Sequence, residues 1–117
     1  MPDPVSRPPA RHELTDIDEA AIAAARAFDL LLAGAREAGS QRWVRFLEPL
    51  PNRLRDDELA ALPRTARRCR SAFGPGDSVL DVVPRDVGTT AARSIDDLLR
   101  VLARHAATAG AVVAPRQ

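Results

Sequence analysis

Four arginines, Arg64, Arg67, Arg68 and Arg70, fall within seven residues of this 117-residue chain. At about 100° per residue a helix here places Arg64, Arg67 and Arg68 on one face, opposite Leu62, Ala66, Cys69 and Phe73. Such a strip, with Arg53 and Arg55 upstream, suits phosphates or other anions and makes nucleic acid a candidate partner. The helix macrodipole favours the same order without any ligand, because Asp56, Asp57 and Glu58 stand at the N-terminal end and the arginines at the C-terminal end. An acidic-start segment followed by an Arg-rich one is also the order found in helix-turn-helix readers. Here Leu62 runs straight into Pro63, leaving no room for the turn, and only Thr65 and Ser71 stand beside the arginines to read bases.

The other chemistry-bearing residues point away from catalysis. Cys69 falls on the apolar phase and reads as a small buried hydrophobe, although exposed among arginines it would become a reactive thiolate. His105 is in phase with Leu98 and Leu102 and reads as a partly buried histidine near a helix C-terminus, while His12 has no expected neighbours. One cysteine and two histidines cannot assemble a zinc site or an internal disulfide. Asp56/Asp57 and Asp96/Asp97 are sequence neighbours, which diverge on a helix and so cannot flank one bond as acid and base. Gly74-Pro75-Gly76 lacks the glycine spacing and the lysine of a phosphate loop. No cofactor, no small-molecule substrate and no enzymatic activity are expected.

These residues must be positioned by helices. Thr15 followed by Asp18 fits a capping box that opens a first long helix, near residues 16–38. Its positions Ile17, Ala21, Ala24, Phe28, Leu31, Ala35 and Ala38 alternate steps of four and three, and Gly39 is a left-handed stop. Ser40 caps a short helix from Gln41 to about Leu47, which Pro49 and Pro51 interrupt. Leu59, Leu62, Ala66, Cys69 and Phe73 keep one phase across Pro63, which predicts a break with Pro63 in the first turn of the second piece. Asp77–Val83 reads as a capped turn or extended connector, since a lone strand would lack a mate. A last helix from Thr89 or Thr90 to about Ala107 carries Ala91, Ile95, Leu98, Leu102 and His105, with Arg93/Asp97 and Asp96/Arg100 as i,i+4 pairs.

The expected fold is therefore all-α, a small antiparallel bundle of about four to five helices with two long amphipathic members. A disordered Pro-rich arm spans residues 1–13, the helical domain residues 14–108 and a flexible tail residues 109–117. No apolar run approaches the length of a membrane span, and the first residues lack the apolar core of a secretory signal, so the expected compartment is the cytoplasm. All 17 basic residues are arginine and alanine is abundant, a usage expected of a GC-rich bacterial genome. Without lysine, Schiff-base chemistry is excluded. A formal net charge of +1 gives no global field to select a partner.

Two functions of different class follow. The first is a non-enzymatic interaction or assembly module, self-associating or docking on a larger protein. Its anchors would be the apolar residues outside the seams, Trp43, Phe46, Leu50 and Leu54, and Trp43→Ala would weaken association more than folding. The alternative is a nucleic-acid-associated accessory protein that uses Arg64, Arg67, Arg68 and Arg70.

Overall fold

The computed structural model describes residues 10–113, with side chains through residue 107. Five α-helices follow in chain order: α1 (Thr15–Glu37), α2 (Gln41–Leu47), α3 (Leu50–Asp56), α4 (Leu62–Arg70) and α5 (Arg85–Val113). Short 3₁₀ turns occupy Arg11–Glu13, Ser71–Phe73 and Val79–Asp81, and no strand occurs among the described residues. None of the described helices is long and apolar enough to cross a membrane.

The two seams read from the sequence pack on each other. Ile17, Ala21, Ala24, Phe28, Leu31 and Ala35 of α1 are buried, as are Ala91, Ile95, Leu98 and Leu102 of α5, while Ala38 is exposed and His105 half-buried. A side chain at Gly34, near the end of α1, would meet Val83 and Pro84, just before α5, so this end of α1 lies beside the start of α5 and the two helices run antiparallel. Alanine at the seam lets the backbones approach closely, and α2, α3 and α4 close the remaining side of the core around Phe28. Phe73 meets the Phe28 ring edge-on at 6.0 Å between centroids.

Local signals set most boundaries. Gly39 takes φ 72°, the left-handed stop of α1, and the Ser40 hydroxyl accepts a hydrogen bond from the Trp43 amide to open α2. Pro63 occupies the first turn of α4, where its missing N–H has no helical partner to lose. Ser78 caps the turn over Val79–Asp81 by accepting from the Leu80 amide.

Four features differ from the sequence expectation. Residues 11–13, assigned to the arm, form a 3₁₀ turn packed on α1; residues 1–9 and 114–117 lie outside the described residues. Thr15 does not cap α1: Leu14 holds that position without a side-chain bond. Pro49 and Pro51 do not end helical structure but open α3, where Pro49 is the cap and Pro51 sits in the first turn, and Leu50, Pro51 and Leu54 turn into the core. Finally, α5 starts at Arg85 and its backbone stays helical to Val113. Gly88 weakens helix propensity, yet a side chain there would run into Leu80, so close packing explains a glycine that the helix tolerates.

Candidate functional site

The outer face of α4 carries three exposed arginines. Leu62, Thr65, Ala66 and Cys69 hold the inner face in the core, which turns Arg64, Arg67 and Arg68 outward, as their spacing requires. Arg68 lies over the Phe46 ring, 4.7 Å from its centroid, and its carbonyl accepts from the Ser71 hydroxyl at 2.6 Å. Phe46 in turn meets Trp43 edge-on at 5.5 Å, and Arg42 stacks at 4.9 Å on the Trp43 ring. Arg70 leaves this group: its Nε pairs with Asp96 Oδ1 at 2.9 Å and ties α4 to α5. Arg64, Arg67 and Arg68 have no carboxylate partner among the described residues.

The apolar anchors divide. Phe46 is half-buried and borders the arginine face, whereas Trp43 is 7% exposed and Leu50 and Leu54 are fully buried. Leu50 and Leu54 are thus core side chains rather than a partner surface, because α3, unseen in the sequence, carries them inward. Of the upstream arginines, Arg55 is bonded to Asp29 on α1, which raises its pKa, and Arg53 is exposed. On α5 the sequence pairs are replaced: Asp97 binds Arg100 at 2.8 Å, one turn on, and Asp96 is taken by Arg70.

Cys69 is buried, as its phase implied. Burial pushes its thiol up to about 12, against a smaller opposing effect of the Arg68 charge, so the nucleophilic thiolate is suppressed. No group of three histidine, cysteine or carboxylate side chains suited to a metal ion occurs among the described residues.

A second locus was not visible in the sequence. A groove of about 620 Å³ lies where the turn at Arg11–Glu13 meets the loop between α3 and α4. Arg11 borders it, and its largely buried guanidinium donates from Nε to Asp18 Oδ1 and from Nη1 to the Asp57 carbonyl, both at 2.9 Å. The Asp57 carboxylate accepts from the Thr65 hydroxyl, which fixes the loop to α4. Arg11 bridges 46 residues of sequence to reach Asp57, and no periodicity or motif could have signalled the pair.

Comparison with protein-family models, curated proteins and solved structures finds no match for this chain.

Proposed function

We propose that this chain is a non-enzymatic docking module that meets an acidic surface of a larger protein through the outer face of α4 and the adjoining Phe46. The observation that carries this reading is the set of three outward guanidiniums without carboxylate partners among the described residues, one of them stacked on a half-buried aromatic ring. Arginine and aromatic side chains are both enriched at protein interfaces relative to the rest of a protein surface. Docking is favoured over self-association because the seams of α1 and α5 are consumed by each other.

The same guanidiniums suit phosphates, which keeps nucleic acid as the second reading. Three cations neutralise about three phosphates, fewer than the six to ten typical of strong duplex binding. One titration separates the two. A labelled acidic peptide with interspersed leucines and a labelled DNA duplex are each added to the protein and to the Arg64→Ala/Arg67→Ala/Arg68→Ala variant at about 50 and about 200 mM salt. The docking reading expects peptide binding that the triple variant weakens about tenfold or more with its thermal midpoint kept. Tighter binding of the duplex than of the peptide, lost in the same variant, would move the assignment to nucleic acid.

A further inference from the structure

The Trp43–Phe46 pair carries a guanidinium at each end. Arg42 lies 4.9 Å from the centroid of the Trp43 ring and Arg68 4.7 Å from that of Phe46, and the two rings meet edge-on at 5.5 Å. Arg42 and Phe46 are one turn apart and share one face of α2, the face that Arg68 reaches from α4. Stacking occupies the flat side of a guanidinium and leaves its N–H edge to pair with a carboxylate.

The two ends differ in what meets that edge. Arg42 Nη2 pairs with Asp77 Oδ2 at 2.9 Å, whereas Arg68 has no carboxylate partner among the described residues. Asp77 belongs to the loop at residues 74–78, which is fixed at both ends: Phe73 packs on Phe28, and Val79 is fully buried. The loop therefore delivers a carboxylate to one stacked arginine and leaves the other open. The Arg42 and Asp77 side chains are 64% and 73% exposed, so an incoming carboxylate reaches this pair as readily as water does. An ion pair so exposed adds little to folding, and the fold loses little when a partner breaks it.

We propose that Asp77 is an internal competitor on the docking face: it holds Arg42 in place of a partner's carboxylate, and the segment that docks is an acidic peptide that displaces it, setting one carboxylate on Arg42 and another on Arg68. This role for Asp77 rests on docking at α4 and extends that face across Phe46 to α2. Arg36–Glu48 supplies the contrast. It is an equally exposed pair, but Glu48 stands two residues from Phe46, on another side of α2, and no ring lies under Arg36 among the described residues.

The full chain and its variants are titrated by fluorescence anisotropy at about 50 mM salt with a labelled acidic peptide carrying interspersed leucines and with a labelled DNA duplex. Asp77→Asn is expected to tighten peptide binding about two- to fivefold with the thermal midpoint kept. Glu48→Gln removes the same charge from the other exposed pair and is expected to leave the affinity within about 1.5-fold. Arg42→Gln/Asp77→Asn is expected to bind no more tightly than the native chain. Affinity unchanged by Asp77→Asn, a gain matched by Glu48→Gln, or a gain kept in the double variant overturns the competitor role, while docking at α4 stands as long as the Arg64→Ala/Arg67→Ala/Arg68→Ala variant loses the peptide. Equal peptide binding by the native chain and that triple variant removes the docking reading and the role of Asp77 with it. A gain seen with the duplex alone also overturns the role, because the displacing group would then be a phosphate.

Discussion

Cys69 shows how the burial of one side chain sets a measurable property of the whole chain. Its thiol is raised from an ordinary 9.0 to about 12 by burial, so below about pH 9 it is protonated whether the chain is folded or not. Above that value the unfolded chain ionises first, and stability falls as pH rises toward 12. The chain has no tyrosine and no lysine, which leaves Cys69 as the one side chain expected to titrate in that window. The thermal midpoint should thus hold from about pH 8 to about pH 9 and decline above it, and Cys69→Ala should flatten the decline. An equal decline in the variant would place its origin elsewhere. At the same scale, Arg68 matters through geometry rather than charge alone: stacked on Phe46, it is held in place while Arg64 and Arg67 are restrained only by the helix.

Among the elements, α3 is the one that takes Leu50 and Leu54 out of the surface. Its seven residues place Leu50 and Leu54 one turn apart on the inner face, where both are fully buried against α1 and α4. Leu50→Ala and Leu54→Ala should each cost about 2–5 kcal/mol of folding stability, measured by urea unfolding. Loss of association at unchanged stability would instead return these residues to an interface. With α3 absorbed into the core, the arginine face of α4 and Phe46 remain on the outside, which is why docking is assigned there. Exposed ion pairs such as Arg36–Glu48 and Arg42–Asp77 join elements but contribute little, because water competes for both charges.

For the whole molecule, the packing of α1 on α5 covers the two longest apolar seams within one chain. Every seam position from Ile17 to Ala35 is closed off within one chain, and the large apolar side chains left exposed among the described residues are Leu30 and Leu80. Light scattering across about 10–500 μM should therefore return the single-chain mass of 12.6 kDa. A dimer that strengthens with concentration would bring the outer face of α1 around Leu30, 61% exposed, into play as a self-association surface.

What the sequence determined by itself is the part governed by local physics. The alternating steps of α1 and α5, the left-handed Gly39, the Ser40 cap, the buried phase of Cys69 and the outward arc of Arg64, Arg67 and Arg68 all follow from helical geometry and backbone sterics. Tertiary structure alone decided which apolar residues outside the seams are covered. Two prolines near Leu50 lower local helix preference, yet burying Leu50 and Leu54 outweighs it; Gly88 disfavours a helix, yet close packing against Leu80 and Val83 carries α5 through it. The groove at Arg11 is the extreme case, since the partners of that guanidinium lie on α1 and on a loop far along the chain. Periodicity records that a face is apolar or a residue charged, but the group that covers or pairs with it is chosen by the fold, where distant segments first come within reach.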